Sequence, residues 1–327
     1  MTGEHILCSE TGQDGEYSNG IKWPNPRFTL HDDIVLDRLT GLFWTRNANL
    51  AFFPLNWQES FDFIDKINQE NAFGYNDWRL PNRRELRSLM SYQTRLPSLP
   101  DGHPFCDVFS GWYWSSTTAV INPDYAWYVH MEGARMFYGG KDQSYFIWPV
   151  RGESHVLFQT GQSHCYDANG HVLCSVPAKQ DGEIRAGVAW PSPRFIDQET
   201  QIFDKATGLI WLKNANITGQ TVTWDKAFQA VKQFNRHCTH DLHPGHSNLW
   251  RLPNINELES LVDCSQHSPA LATEMKCLEL QSGYWSSTTS AFEPDWAWAL
   301  YITKGALGIG QKKDPHFYVW PVKNNIN

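Results

Sequence analysis

Apolar residues recur at helical spacing in two segments of the chain. In the first segment they share one face of a helix that we expect over residues 56–69, and an equivalent pattern predicts a helix over residues 223–235. The face of the first helix consists of Trp57, Phe61, Ile64 and Ile67. One apolar face opposite a polar one is typical of a helix that packs on a core.

A second, shorter helix is predicted after each of these. It begins at Asn82 in the first case and at Asn254 in the second, with a glutamate three residues later at Glu85 and Glu257. This spacing satisfies two backbone N–H groups of the first helical turn through a capping box. Catalytic carboxylates are the alternative, but capping alone accounts for the spacing, so we interpret both glutamates as structural.

Beyond the second helix the pattern changes to short aromatic and β-branched runs separated by Gly, Asn, Pro and Asp. These runs predict strands over residues 112–117, 125–131, 135–138 and 145–150. A short strand that ends in tryptophan precedes the helices. An early strand, two helices and a β-rich half predict an α+β fold, since the order is not that of alternating βαβ units.

The chain is a tandem repeat. Five sequence blocks recur at a nearly constant offset of about 170 residues, which is too long for a solenoid repeat and fits two complete domains. The paired blocks are residues 23–28 and 190–195, 39–44 and 206–211, 78–82 and 250–254, 113–118 and 284–289, and 148–150 and 320–322. We therefore predict one domain over residues 1–155 and a second over residues 156–327.

Four motifs occur in both copies. They are Thr-Gly-Leu-x-Trp, Trp-Arg-Leu-Pro-Asn-x-x-Glu-Leu, Tyr-Trp-Ser-Ser-Thr-Thr and a terminal Trp-Pro-Val. Together they resemble the Lcl C-terminal domain family of bacterial collagen-like adhesins. The resemblance implies tandem C-type-lectin-like domains, each with two helices, a small, mostly antiparallel, twisted sheet and long loops that present a binding surface. The chain departs from the adhesins in having two copies and no Gly-x-y collagen stalk.

Composition and charge argue against several classes of function. Charged residues make up 19% of the 327 residues and the formal net charge is −8, so nucleic acid is not an expected partner. Apolar runs such as the one at Phe52 and Phe53 are far shorter than the roughly 20 residues that cross a bilayer, so we expect no membrane insertion. The sequence contains neither a glycine-rich phosphate loop nor a Gly-x-Ser-x-Gly elbow, and we expect no enzymatic activity.

Seven cysteines raise the question of disulfides. The spacing in the second copy favours two short loops, closed by Cys165 with Cys174 and by Cys264 with Cys277. Such bridges imply an oxidising compartment, in line with the extracytoplasmic setting of the resembled family, whereas buried reduced thiols in a cytosolic protein are the alternative. Because Cys8 lacks an upstream partner, we expect a missing N-terminal stretch that carried a secretion signal.

Histidines are concentrated in residues 237–246, an insertion that the first copy lacks. Imidazole is a common zinc ligand, which makes His240 and His243 candidate ligands for zinc, with calcium as the other ion considered. The spacing matches no known ligand framework, and a polar surface loop is the alternative. We expect no other cofactor.

The β-rich half carries the candidate ligand-binding residues, because aromatic faces beside hydrogen-bonding groups suit sugar rings or protein surfaces. The candidates of the first copy are Asp124, Tyr128, His130, Arg135, Tyr138 and Lys141. Those of the second copy are Asp295, Trp296, Tyr301, Lys304 and Lys313. Trp127 and Trp298 recur in register, and we expect both in the core.

These observations predict an extracytoplasmic recognition or adhesion protein that binds a glycan or protein ligand through loops of its β-rich halves. The first alternative is a structural subunit of a bacterial surface assembly or filament, which would self-associate. The second is an oxidoreductase like the formylglycine-generating enzymes, which belong to the same broad fold group. Against it, Cys106 and Cys277 do not form the reactive pair that such an enzyme has.

Overall fold

The computed structural model describes residues 8–173, 177–238 and 249–325. The chain divides into two compact units, each of which contains one copy of the repeat. The first-copy unit consists of Ile21–Ala189 and Asp263–Gln266, and the second-copy unit consists of Met1–Gly20, Trp190–Val262 and His267–Asn327. Both are α+β, as the sequence predicts, since a few helices accompany small antiparallel sheets.

Within residues 8–151 the structure describes three α-helices and seven strands. They are α1 (Asp14–Tyr17), β1 (Phe28–His31), β2 (Ile34–Asp37), β3 (Phe43–Thr45), α2 (Trp57–Gln69), α3 (Arg83–Ser88), β4 (Trp112–Thr118), β5 (Tyr125–His130), β6 (Met136–Gly140) and β7 (Val150–Arg151). One antiparallel sheet has the order β1-β2-β3-β7, and β4, β5 and β6 form an antiparallel meander.

The predicted strand over residues 145–150 is wrong. Only its last residue lies in a strand, because Tyr145 and Phe146 make single bridges to Leu55 and Tyr113.

The second half repeats this order. Its elements are β8 (Cys165–Tyr166), β9 (Val172–Leu173), α4 (Asp181–Ile184), β10 (Phe195–Gln198), β11 (Gln201–Asp204), β12 (Leu209–Leu212), α5 (Trp224–Cys238), α6 (Ile255–Ser260), β13 (Tyr284–Thr289), β14 (Trp296–Tyr301), β15 (Ala306–Gln311) and β16 (Val322–Asn324). The sheet β10-β11-β12-β16 matches β1-β2-β3-β7, and β13, β14 and β15 form the second meander.

Capping boxes start the short helices, as predicted. In α3, the Asn82 side chain accepts from the backbone N–H of Glu85 at 3.0 Å, and the Glu85 carboxylate accepts from that of Asn82 at 2.9 Å. Glu85 is buried and also pairs with the guanidinium of Arg79 at 2.5 Å. Asn254 and Glu257 cap α6 in the same way. Both predicted capping boxes are therefore confirmed.

Buried tryptophans join each long helix to the sheets. The indole N–H of Trp57 in α2 donates to the carbonyl of Ser115 in β4 at 2.8 Å. The indole N–H of Trp114 donates back to the carbonyl of Leu55, just before α2, at 3.0 Å. The second copy repeats both bonds with its equivalent residues, at 2.7 and 2.8 Å. The polar edge of each ring is therefore satisfied while its apolar area fills the core.

A buried arginine–aspartate pair joins three parts of the first copy. The guanidinium of Arg27 donates to both carboxylate oxygens of Asp37, at 3.0 and 2.8 Å. It also donates to the backbone carbonyl of Ser88 at the end of α3, at 2.6 Å. Asp37 accepts in addition from the N–H of Leu39 and the hydroxyl of Thr40, in the turn after β2. The pair thus holds the chain before β1, the β2–β3 turn and α3 together.

The second copy contains the same pair. Arg194 donates to the two carboxylate oxygens of Asp204 at 2.9 and 2.8 Å, and to the carbonyl of Ser260 in α6 at 2.8 Å. Both charged side chains are at most 1% exposed. Because the two charges neutralise each other inside the protein, removal of either one leaves an uncompensated buried charge.

Each copy is preceded by a lead-in with the motif Gln-Asp-Gly-Glu, at residues 13–16 and 180–183. The lead-in of the second copy packs in the first-copy unit, and residues 8–20 pack in the second-copy unit. The predicted domains, 1–155 and 156–327, therefore follow the repeat along the chain but not the packed units. Sequence cannot decide this, because both copies offer the same side chains to a lead-in.

Asp181 in α4 anchors the second lead-in. Its carboxylate is buried and accepts hydrogen bonds at 2.7 Å from the hydroxyls of Thr117 and Thr160. Burial raises the pKa of Asp181 to about 6; the two hydroxyls oppose this shift and the nearby Glu85 carboxylate adds to it. Docking of the lead-in therefore makes this carboxyl group easier to protonate than it is in the unfolded chain.

Five cysteines are free thiols in the part of the chain that the structure describes, namely Cys8, Cys106, Cys165, Cys264 and Cys277. The predicted bridge between Cys264 and Cys277 is therefore not formed. Cys264 is buried in the first-copy unit, where its sulfur lies 3.9 Å from the Arg83 guanidinium, whereas Cys277 belongs to the second-copy unit. Cys174, the predicted partner of Cys165, lies outside the described residues.

No helix within residues 8–173, 177–238 and 249–325 has the length and apolar character needed to cross a membrane.

Substitution of the buried aspartate tests the arginine–aspartate pair. We expect Asp204→Ala to lower the free energy of unfolding of the second-copy unit by about 3–5 kcal/mol, because Arg194 would remain buried without its counter-ion. Chemical denaturation measures the change. Asp197→Ala is the matched control, since Asp197 in β10 pairs with Lys213 but is 47% exposed, and a loss of about 1 kcal/mol or less is expected. Equal losses in the two variants would contradict the prediction.

The raised pKa of Asp181 predicts a pH dependence. Because the folded pKa lies above the ordinary value of 3.8, protonation stabilises the first-copy unit, and this contribution is lost as the pH rises through about 6. We expect the free energy of unfolding, taken relative to Asp181→Asn, to increase by about 2 kcal/mol between about pH 7 and about pH 4. Denaturation curves of both proteins across this range measure it, and a difference that does not vary with pH would refute it.

Candidate functional site

Exposed and half-buried aromatic side chains gather on the first copy, beside the β4-β5-β6 meander. We call this group the aromatic surface. It consists of Trp112, Tyr128, His130 and Tyr145, whose rings contact one another, and of the exposed Phe52 and Phe53 in the loop that leads to Leu55, the backbone partner of Tyr145. Large apolar side chains gathered at the surface in this way are typical of a binding site.

The register of β4 and β5 places four rings on one face of the sheet. Trp112 pairs with His130, and Trp114 pairs with Tyr128. Residues two apart in a strand share a face, so the four side chains project together. Trp114 is fully buried, whereas Trp112 is 45% exposed and lies 4.9 Å from the His130 ring, centroid to centroid. The aromatic face thus runs from the core out to solvent.

Tyr145 extends this face beyond the strands. Its backbone exchanges two hydrogen bonds with that of Leu55, at 2.8 and 2.9 Å. Its ring centroid lies 4.4 Å from that of Trp114, 5.0 Å from that of Tyr128 and 5.6 Å from that of Trp112. Tyr145 therefore links the sheet to the loop that precedes α2.

That loop carries two phenylalanines that are exposed to solvent. Phe52 is 83% exposed and Phe53 is 62% exposed. Phe52 has a φ of 65°, in the left-handed region that costs an L-residue about 1–2 kcal/mol. At the same position the second copy has Gly219, with a φ of 66°, followed by Gln220. The exposed Phe52 ring adds no packing energy that would offset the cost of this backbone conformation. Backbone strain of this kind is concentrated at functional sites.

The second copy has a different surface on the same frame. The counterparts of Trp112, Tyr128 and Tyr145 are Gly283, Ala299 and Phe317. Phe317 is buried, and a Cβ atom added to Gly283 would lie only 2.9 Å from its ring. The buried ring of Phe317 therefore fills the space beside Gly283. The position of the exposed Trp112 is held by glycine in the second copy.

The pKa values of His130 and Tyr128 are shifted in directions that fix the hydrogen-bonding roles of these two side chains. Burial lowers the pKa of His130, so its ring is neutral near pH 7. Its Nδ1 lies 2.8 Å from the carbonyl of Glu132, which makes Nδ1 the donor and leaves Nε2 as an acceptor. Burial raises the pKa of Tyr128 to about 12, so its hydroxyl remains a donor. The surface thus combines aromatic rings with hydrogen-bonding groups that carry no net charge.

The structure separates the six candidate residues predicted in the first copy. Tyr128 and His130 belong to the aromatic surface. Tyr138 lies on the opposite face of the sheet, where its ring is 5.1 Å from that of the buried Trp127. Asp124 and Arg135 lie in the turns at opposite ends of β5. The strand alternation, which sequence spacing alone did not reveal, divides these residues between two faces.

Lys141 lies in the interior, contrary to the surface contact predicted for it. It is 2% exposed, and its ammonium group lies 4.1 Å from the centre of the Trp57 ring. Its Nζ donates to the backbone carbonyls of Tyr166 and Asp167, at 3.4 and 2.9 Å. Burial lowers the pKa of Lys141 to about 7. This lysine holds the β8–β9 hairpin.

The candidates of the second copy are spread over both ends of its meander. Asp295 and Trp296 lie at the start of β14, Tyr301 lies at its end, Lys304 follows in the turn and Lys313 comes after β15. Tyr301 packs 5.3 Å from the buried Phe317. The counterpart of Lys141 is Lys312, which is 6% exposed and lies 4.2 Å from the Trp224 ring. Lys304 and Lys313 are exposed.

The candidate metal ligands His240 and His243 lie outside the described residues. Elsewhere, in the part of the chain that the structure describes, no group of three or more His, Cys, Asp or Glu side chains is arranged to hold a metal ion.

A cleft of about 480 Å³ lies in the first-copy unit between α2 and the second lead-in. Its wall includes Asp65, Asp77 and Lys179. Lys179 pairs with Asp65, and Asp77 pairs with Arg151 at 2.7 Å. These charges are thus used within the protein, which makes the cleft a weaker candidate site than the aromatic surface.

Several members of the aromatic surface were not singled out from the sequence, namely Phe52, Phe53, Trp112 and Tyr145. A comparison of the two copies position by position identifies two of them. Phe52 corresponds to Gly219, and Trp112 corresponds to Gly283. A large aromatic residue opposite glycine in an otherwise shared frame is the signal of a surface that differs between the copies.

Comparison with known proteins finds one family. The model of the Lcl C-terminal domain matches residues 33–151 and again residues 200–323. Both copies are therefore covered, and the matched ranges confirm the resemblance seen in the repeated motifs. The lead-ins lie outside the matched ranges. The search of curated proteins found no match.

The backbone of Phe52 predicts an unusual effect on stability. We expect Phe52→Gly to leave the free energy of unfolding unchanged or to raise it by up to about 1 kcal/mol, because relief of the left-handed conformation outweighs the flexibility of glycine. Gly219→Phe is the matched reverse change. No atom lies within 4 Å of a Cβ there, so only the backbone cost acts, and a loss of about 1 kcal/mol is expected. If chemical denaturation shows a large loss for Phe52→Gly, the ring supports the fold.

Proposed function

Because the chain belongs to the Lcl C-terminal domain family in both copies, and this family suggests a surface-associated, adhesin-like role, we propose that it is a recognition protein whose first copy binds a ligand through the aromatic surface. The observation that carries the proposal is the difference between the copies. Both keep the same buried contacts, but only the first presents Phe52 and Trp112 to solvent, where the second has Gly219 and Gly283.

A protein surface is the ligand class that best suits this arrangement. Phe52 and Phe53 project into solvent and carry no hydrogen-bonding group, so they can enter apolar pockets but cannot orient a sugar. Trp112 provides a further ring, and the neutral His130 and Tyr128 provide polar contacts at its edge. Aromatic anchors in a patch of low charge are typical of the centre of protein interfaces. A sulfated glycan is disfavoured by the formal charge of −8.

The proposal also covers the cellular setting and the absence of catalysis. We place the protein outside the cytoplasm on the strength of its family, since the cysteines described by the structure are free and give no support of their own. We propose no enzymatic activity and no cofactor. The aromatic surface supports this view, because its rings and neutral polar groups do not form the nucleophile and base that group-transfer chemistry requires.

Direct binding tests this function. The purified chain is applied to arrays of extracellular proteins and of glycans, and each hit is measured by biolayer interferometry. We expect protein hits whose affinity falls about tenfold or more with Trp112→Ala, because loss of a central aromatic anchor typically costs at least about 2 kcal/mol.

Trp23→Ala is the matched control for this experiment. Trp23 is 44% exposed, close to the 45% of Trp112, and it lies in the same unit but stacks on Arg27 outside the aromatic surface. Its removal should leave binding unchanged. Hits that respond equally to both variants, or binding confined to glycans, would refute the proposal.

A further inference from the structure

The contacts of residues 8–20 point to a second copy of this chain as a partner. We propose that this segment, which we call the N-terminal arm, exchanges between chains. The arm of one chain then docks on the second copy of the repeat in another chain and links the chains together. This inference rests on the packing of the lead-ins and is independent of the proposed function.

The arm is held in the second-copy unit mainly by polar contacts. The carboxylate of Asp14 accepts from the hydroxyl of Thr288 at 2.8 Å. The side-chain amide of Asn254 donates to the carbonyl of Asn19 at 3.4 Å, and Lys232 donates to the arm backbone at 3.2 Å. We call Thr288, Asn254 and Lys232 the arm site.

The first copy binds the other lead-in with equivalent residues. Thr117 donates to Asp181 at 2.7 Å, and the side chain of Asn82 donates to the carbonyl of Ala186 at 3.2 Å. Yet the two lead-ins arrive by different routes. One directly follows the copy on which it docks, whereas the other is separated from its docking site by the whole first copy. The site thus recognises the lead-in itself, whatever its connection.

The helices of the two lead-ins differ in how far they are covered. None of the residues of α1 is buried, whereas Asp181 and Gly182 of α4 are. The Asp14 carboxylate accepts from Thr288 and from the side chain of Asn254, and the Asp181 carboxylate accepts from Thr117 and Thr160. The arm is therefore held by hydrogen bonds rather than by buried helix residues, and an arm of another chain can form the same hydrogen bonds.

When an arm leaves the arm site of its own chain and docks on that of another chain, it forms again the contacts that it lost. An arm from another chain forms the same hydrogen bonds, so the balance between the closed and exchanged forms depends on chain concentration and on the effective concentration of a chain's own arm. This is the physical basis of domain swapping. It predicts assemblies that grow with concentration and that require both an intact arm and an intact arm site.

Two complementary variants test the exchange. Asp14→Lys disables the arm and leaves the arm site intact, while Thr288→Val with Lys232→Glu disables the arm site and leaves the arm intact. Light scattering after size-exclusion chromatography should show each variant alone as a monomer and an equimolar mixture as a 1:1 complex. The wild type should associate as its concentration rises. Asp62→Lys, a charge reversal at an exposed position of α2, is the matched control and should associate like the wild type.

Failure of the folded variants to form a complex on mixing would overturn the proposal. A labelled peptide of residues 8–20 provides the second measurement. It should bind the Asp14→Lys chain. The same peptide with Asp14→Ala should bind at least about tenfold more weakly, because the charged hydrogen bond is lost. If Asp14→Lys does not fold, the peptide is tested as a competitor of wild-type association. A peptide that neither binds nor competes would overturn the proposal, whatever the outcome of the ligand-binding experiments.

Discussion

The buried arginine–aspartate pair is the contact on which the rest of each unit depends. Arg27 lies just before β1. Its guanidinium donates to Asp37, the last residue of β2, and to the carbonyl of Ser88 at the end of α3. A guanidinium group in the interior needs acceptors in fixed directions as well as at fixed distances. The pair therefore determines where the early sheet meets α3. Because α3 packs against β4 and β5, it also positions the strands that carry the aromatic surface.

The two copies show how one frame can carry two surfaces. The ion pair, the capping boxes, the indole hydrogen bonds and a lysine buried over tryptophan occur in both copies, and all of them are internal. Differences are concentrated at positions that these contacts do not use. Phe52 corresponds to Gly219, where the space around a Cβ atom is open, and Trp112 corresponds to Gly283, which leaves room for the buried Phe317. A frame held by internal polar contacts leaves its outer positions free to vary, which is what a recognition protein requires.

The proposed recognition and the proposed assembly rest on separate parts of the molecule. The aromatic surface belongs to the first-copy unit, and the N-terminal arm packs in the second-copy unit. The two roles are therefore compatible, and a chain that exchanges its arm would present several aromatic surfaces at once. Multivalent presentation strengthens the attachment of a weak binding site without any change in the site. An adhesin-like protein would gain from both properties.

The sequence by itself determined the tandem α+β architecture, the capping boxes at Asn82 and Asn254 and the family, because these depend on local spacing and on repetition. Much of the candidate site was decided by the tertiary structure. Tyr138 and Tyr128 are close in sequence but lie on opposite faces of one sheet. Lys141 is polar in sequence but is buried between the Trp57 ring and the β8–β9 hairpin. Exposure depends on what the rest of the chain brings to cover a residue, and no local pattern contains that information.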